Sequence, residues 1–320
     1  MIRSASLFSQ FQEHFPRTEF AVLVQKHKAE RAAKRFTCWT QFVSMLFCQL
    51  ARADSLRKIC SELVCCLGKL THLGIGDAPK RSTLSYANEH RPAALYEDLF
   101  WTALNRFRNQ GSIGGLRKSR FRFKNKLLSL DSTTISLCLS LFPWAKFRQA
   151  KGEVKLHVLL DHDDYMPAFI HITEAKPHDR RAAQLLTLAA GSIIAMDRAY
   201  NDYRLFSDWT DRGVFFVTRM KDNTVYEVVE ERPLPQKLKV KTFVGTSENA
   251  LRIQIWTALL AILLLKWLHH LSKAGWSLSN LAAMLRMNLF TYRELRAWID
   301  SPFNTPPSPL EPQQMALPLT

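Results

Sequence analysis

The spacing of apolar residues changes period part-way along the chain, and that change limits the folds open to it. Up to about Phe107 the spacing is helical. Phe8, Phe11 and Phe15 share a face, and so do Trp39, Phe42, Val43, Leu46, Phe47 and Leu50. Pro16 interrupts the pattern, and Thr18 is placed to cap a helix over 19–31. Asp54 or Ser55 can cap 56–67, Gly74 and Gly76 mark a break, and Ser82 can start a short helix over 83–90. Beyond Gly114-Gly115 the pattern is that of strands, over 127–137, 154–160, 166–173, 192–196 and 214–218. Helices over 180–190 and 203–211 precede the fourth and fifth strands. The order β-β-β-α-β-α-β predicts a mixed α/β sheet. Helical spacing resumes over 247–271, 278–287 and 292–298, and six prolines within 301–320 mark an unpacked tail.

The charge is uneven. The chain has 320 residues and a formal net charge of +16. Residues 1–126 carry 22 basic and 9 acidic side chains, a net +13, and the remainder carries a net +3. A basic first part suits a polyanion such as nucleic acid. The densest stretch holds Arg106, Arg108, Arg117, Lys118, Arg120, Arg122, Lys124 and Lys126 with no acid. Arg120 to Lys124 alternates as a strand with one basic face would, which fits phosphate contact or a charge-protected edge. The helices around Gly74 and Gly76 could form a helix-turn-helix-like unit, with Arg81, Ser82, Thr83, Ser85, Tyr86 and Asn88 toward DNA. A plain helical bundle is the alternative.

Several classes are disfavoured. The six cysteines form no C-x-x-C pair, which points to a reduced, cytosolic chain without a zinc finger. No glycine-rich nucleotide loop occurs, and the N-terminus lacks a signal-peptide core. The longest apolar run, 255–265, is shorter than the roughly 20 residues of a membrane span, so no membrane partner is expected. Trp256, Leu259, Leu260, Leu263 and Leu264 form a stripe that reads as core, or as a contact in a homo-oligomer.

Two carboxylates stand out. Asp131 interrupts one apolar strand and Asp197 ends another. A buried, isolated carboxylate is costly. Two on strands of one sheet have a reason to be there as hard oxygen ligands for Mg²⁺ or Mn²⁺. Metal-assisted phosphoryl transfer is the chemistry such a pair serves.

The stretches 36–50 (FTCWTQFVSMLFCQL), 81–92 (RSTLSYANEHRP), 128–137 (LSLDSTTISL), 155–176 (KLHVLLDHDDYMPAFIHITEAK), 194–200 (IAMDRAY) and 241–251 (KTFVGTSENAL) resemble bacterial insertion-sequence transposases of the IS-Four kind. The resemblance covers nearly the whole chain. It implies an α/β fold: an RNase-H-like DDE catalytic core with a mixed sheet over 120–300, preceded by an α-helical basic domain over 1–110 and followed by C-terminal helices. It implies that Asp131 and Asp197 bind the metal, with Arg198 and Tyr200 beside them. Expected partners are double-stranded DNA at the element's terminal repeats and target DNA, in the cytoplasm at the nucleoid. Arg81, Ser82, Arg117, Lys118, Arg120, Arg122, Lys124 and Lys126 are the expected DNA contacts.

The pattern breaks at its third carboxylate. The family places a Glu on a helix, in a Tyr-x-x-Arg-x-x-x-Glu arrangement that sets all three on one helical face. Here the chain runs from Glu227, Glu230 and Glu231 through Pro233 and Pro235 directly to 237–243, a segment that follows the glutamate helix in the family. The resemblance therefore implies that several dozen residues, the catalytic Glu among them, are absent. Glu248 and the sequence Tyr292-Arg293-Glu294 do not match the motif. A transposase impaired in strand transfer is expected. A DNA-binding remnant that inhibits the full-length enzyme, and an RNase-H-like nuclease, are the alternatives.

Overall fold

The computed structural model describes residues 5–31, 35–66, 70–110, 123–137, 146–147, 151–174, 179–219 and 248–301. Arg117, Lys118, Arg120, Arg122, Cys138, Glu227, Glu230, Glu231 and the proline-rich tail lie outside them.

Six helices come first: α1 (Leu7–Gln12), α2 (Arg17–Lys26), α3 (Cys38–Ala51), α4 (Leu56–Cys65), α5 (Arg81–His90) and α6 (Ala94–Asn109). The sheet region follows, with β1 (Leu127–Leu137), β2 (Lys146–Phe147), β3 (Lys151–Asp161), β4 (Met166–Glu174), α7 (Asp179–Gln184), β5 (Ile193–Met196), α8 (Tyr203–Asp211) and β6 (Phe215–Thr218). Three helices end the described chain: α9 (Glu248–Leu271), α10 (Leu278–Asn288) and α11 (Leu295–Asp300).

Local chemistry explains most boundaries. Thr37 and Ser55 cap α3 and α4, accepting from the backbone N–H of Thr40 and Lys58. Thr18 does not cap α2. Pro16 occupies that position, and its fixed φ starts the helix one residue later, leaving Thr18 inside. Ser82 likewise lies inside α5, which begins at Arg81 without a side-chain cap. The last helix starts at Leu295 rather than Tyr292, because the Glu294 carboxylate caps it through the N–H groups of Arg296 and Ala297.

One apolar core joins both ends of the chain. The 24-residue α9 packs against α3, α5, α6 and α10. Trp256, Leu260, Leu263 and Leu264 are buried there and Leu259 packs against them, so the stripe is core. The ring of Phe107 on α6 stacks on Trp267 of α9 at 4.6 Å. By length and composition α9 could cross a membrane, but its most apolar window is 67% buried inside the protein. Asn249, in its first turn, donates to the carbonyls of Asn88 and Arg91 and accepts from the N–H of Ala93, stitching α5 to α6. At the other end, Leu7 and Phe8 donate to the carbonyls of Thr291 and Leu289.

The sheet runs β4-β3-β1-β5-β6, with the short β2 also on β3. β3 pairs antiparallel with β1 on one side and β4 on the other, whereas β5 lies parallel to β1 and β6 parallel to β5. This mixed order is RNase-H-like. Side chains alternate between faces. Leu128, Leu130, Leu159, Ile194 and Met196 face a core built with α7 and α8. Ile135, Val154, Ile170 and Ile172 face the opposite way and join the helical core. The β3–β4 turn is tied to the helices: Arg108 pairs with Asp164 at 2.6 Å, and Lys266 donates to the Tyr165 carbonyl.

Replacing Leu264 by Ala leaves a cavity in the shared core and is expected to cost about 2–5 kcal/mol. Ile262→Ala, on the exposed side of the same helix, should cost under about 1 kcal/mol. Urea unfolding of the two variants checks the difference; equal losses would mean that α9 is not buried as described.

Candidate metal centre and nucleic-acid contacts

β1 and β5 pair in parallel from Leu127 with Ile193 to Leu130 with Met196. The next positions along the two strands are Asp131, within β1, and Asp197, just past the end of β5. Neighbouring strands lie about 4.8 Å apart, so the register sets the two residues at neighbouring positions. Both are exposed, because alternation turns them away from the core that holds Leu130 and Met196. Each gives Oδ1 to the next backbone N–H, Asp131 to Ser132 at 2.8 Å and Asp197 to Arg198 at 2.6 Å. Asp197 thereby caps the 3₁₀ turn Arg198–Tyr200.

Adjacent carboxylates repel, and a cation between them relieves that repulsion. The donor set is oxygen only, which suits a hard divalent ion such as Mg²⁺ or Mn²⁺. Among the described residues no three His, Cys, Asp or Glu side chains gather as a metal-binding group. The two glutamates weighed in the sequence are engaged elsewhere: Glu248 Oε1 accepts from Arg252 Nε and Nη2, and Glu294 caps its helix. The acidic turn after β3 is not a metal site either. Asp161 takes the N–H of Asp163 and pairs with Lys126 at 2.8 Å, and Asp164 takes the N–H of Met166 beside its pair with Arg108.

Beneath the pair lies a buried polar network that the sequence did not reveal. Tyr200 is fully buried, and its hydroxyl sits 2.9 Å from Nδ1 of His157. The other ring nitrogen meets Thr173 Oγ1 at 3.2 Å. Ser132 stands beside His157 as its partner across the β1–β3 ladder. Burial holds His157 down to about 4 and pushes Tyr200 well up, so the imidazole and the phenol are both neutral at pH 7. Alongside, Lys155 pairs with the buried Asp179 at 2.7 Å. Asn201, also buried, accepts from Thr218 Oγ1 and donates to the Arg219 carbonyl, tying the turn to the end of β6. The clue in the sequence was the Asp-Arg-Ala-Tyr-Asn order; the partners on β3 and β4 carry no local signal.

Of the expected DNA contacts, Arg81 and Ser82 are exposed at the start of α5, and Lys124 is exposed before β1. Lys126 is half-exposed and shared with Asp161. Other parts of the nucleic-acid reading need correction. Asn88 does not face outward: it is buried, accepting from Gln41 Nε2 at 2.7 Å, because it lies on the same side of α5 as Leu84. Arg106 pairs with Glu19 and donates to the His14 carbonyl, so this arginine and Arg108 hold the fold rather than extend a basic strand.

Comparison with known proteins adds the decisive observation. Residues 122–258 match the transposase DDE domain, and residues 3–76 match a domain of unknown function, DUF4372. A Sinorhizobium fredii protein described as a transposase, y4zB, is 23% identical over 312 residues, covering 74% of this chain and 84% of its own. Residues 122–258 are a transposase domain of the DDE class. A Geobacillus stearothermophilus protein described as the transposase for insertion sequence element IS5377 is 33% identical over 102 residues, covering 32% of this chain and 27% of its own. Among solved structures, the piggyBac transposase synaptic complex with hairpin DNA matches at 9% identity and a TM-score of 0.32, over 68% of this chain and 50% of that one. The DDE match spans both aspartates and Tyr200.

The neutral His157 gives the protein a pH dependence with a definite sign. Once unfolded, His157 takes up a proton below its ordinary value near 6.5, whereas the folded ring does so only near 4. Its contribution is complete above 6.5 and is lost as pH falls toward 4, by up to about 3 kcal/mol. Urea unfolding at pH 7 and 4.5 should show a shallower loss in His157→Gln than in wild type. Equal losses would contradict the buried neutral ring.

Proposed function

We propose that Asp131 and Asp197 are the metal-binding carboxylates of this transposase, and that it binds element-end DNA and cuts it in a metal-dependent step. The observation that carries this is the parallel register of β1 and β5, which brings two exposed carboxylates to neighbouring positions. Mg²⁺ or Mn²⁺ bound there would polarise a phosphoryl oxygen and favour ionisation of an attacking hydroxyl. The protein's own part is to hold the two carboxylates at one spacing and to seat the DNA backbone. Residues 1–110 would supply the helical DNA grip through Arg81 and Ser82, and 120–300 the catalytic core. Arg117, Lys118, Arg120, Arg122, Lys124 and Lys126 would reach phosphates between the two. Acting on terminal repeats and target DNA, the protein would work in the cytoplasm, at the nucleoid.

We infer further that strand transfer is impaired by an internal deletion that includes the third carboxylate. The y4zB comparison supports this reading. Its 312 aligned positions include 74% of this 320-residue chain, or about 237 residues, so about 75 positions of the relative have no counterpart. Loss of several dozen residues after Gln236 would account for such a difference. The same gap favours a second reading, a DNA-binding remnant that occupies element ends and inhibits a full-length copy.

Incubation of the purified protein with duplex terminal-repeat DNA separates the readings. Nicking that requires Mg²⁺ and disappears in Asp131→Asn, with joining at least about 100-fold below a full-length relative, is the expected outcome. Binding without nicking supports the remnant. Joining at the relative's rate would contradict the deletion account. Lys124→Ala should weaken binding alike on all sequences and lower the salt slope by about 0.9; an unchanged slope would remove Lys124 from the interface.

A further inference from the structure

Tyr200 occupies a position that no packing argument explains fully. Its side chain is buried, yet its hydroxyl meets His157 Nδ1 on β3 at 2.9 Å, while Tyr200 itself ends the 3₁₀ turn that starts at Asp197. Ser132 and His157 are direct partners across the β1–β3 ladder. Ser132 also follows Asp131 and gives its N–H to Asp131 Oδ1. The phenol therefore reaches, through His157 and its ladder partner Ser132, one residue from the first carboxylate and, through the turn, three residues from the second.

The hydrogen bonds are mutually consistent. A neutral imidazole has one acceptor and one donor nitrogen. If the Tyr200 hydroxyl donates to Nδ1, Nε2 carries the proton and donates to Thr173 Oγ1. Both ring nitrogens then have a partner, and a satisfied buried network holds one geometry. Only four residue pairs join β1 to β5, so the ladder itself is short. The turn after it is where the second carboxylate could drift.

We infer that Tyr200 is a positioning residue for the metal pair: its buried hydroxyl, held by His157 opposite Ser132, ties the Asp197 turn to the β1–β3 ladder and sets the spacing of Asp131 and Asp197. This rests on the reading of those aspartates as metal ligands. Tyr200 touches neither metal nor DNA. Removing its hydroxyl should leave the fold and metal-free DNA binding intact while loosening the ion site.

Mn²⁺ titration of the full chain, followed by electron paramagnetic resonance, tests this with a readout other than activity. Wild type should bind Mn²⁺, Asp131→Asn should abolish the binding, and Tyr200→Phe should weaken it about 3- to 10-fold. Circular dichroism and DNA affinity without metal should be unchanged in Tyr200→Phe. His157→Phe, which removes the same bond from the β3 side, should weaken Mn²⁺ binding in the same direction and keeps the test open if Tyr200→Phe does not fold. Binding lost in Asp131→Asn but undiminished in both Tyr200→Phe and His157→Phe overturns the positioning role alone. Absence of Mn²⁺ binding in wild type, or binding unaffected by Asp131→Asn, overturns the metal-pair reading and the positioning role with it.

Discussion

Parallel strands carry their side chains in step, so the hydrogen bonds that join 127–130 to 193–196 also decide where Asp131 and Asp197 end up. A slip of one residue would turn one carboxylate into the core with Leu130 and Met196. Apolar burial on that side holds the register: Leu128, Leu130, Ile194 and Met196 must stay under α7 and α8. The acidic pair is exposed because the residues before it are buried.

The other face of the sheet has a different dependence. Ile135, Val154, Ile170 and Ile172 pack into a core shared by the N-terminal helices and α9. The ion pair of Arg108 on α6 with Asp164 in the β3–β4 turn fastens the same junction. The helices expected to grip DNA and the sheet carrying the carboxylates are therefore packed together, through α9. The deletion proposed ahead of α9 would leave its apolar side able to find this core.

Much of this was legible in the sequence because it is written locally. The alternation over β1 gives its bounds as Leu127–Leu137, and the apolar run before Asp197 gives β5 to within one residue. The two carboxylates could be singled out because each breaks an apolar strand. Their adjacency could not, since it depends on which strands pair. The Tyr200–His157–Thr173 network was hidden for the same reason: its members are 16 and 43 residues apart. Asn88 and Arg106 were misread because charge and polarity alone do not tell an outward side chain from one that meets a buried partner.

The claim at the centre is that the two strand-end aspartates form one cation site. Anomalous diffraction from crystals of the chain soaked in Mn²⁺ tests it most directly. The account predicts a peak within bonding distance of both Asp131 and Asp197. Manganese bound only at other carboxylates, or no peak between these two at saturating Mn²⁺, would contradict it.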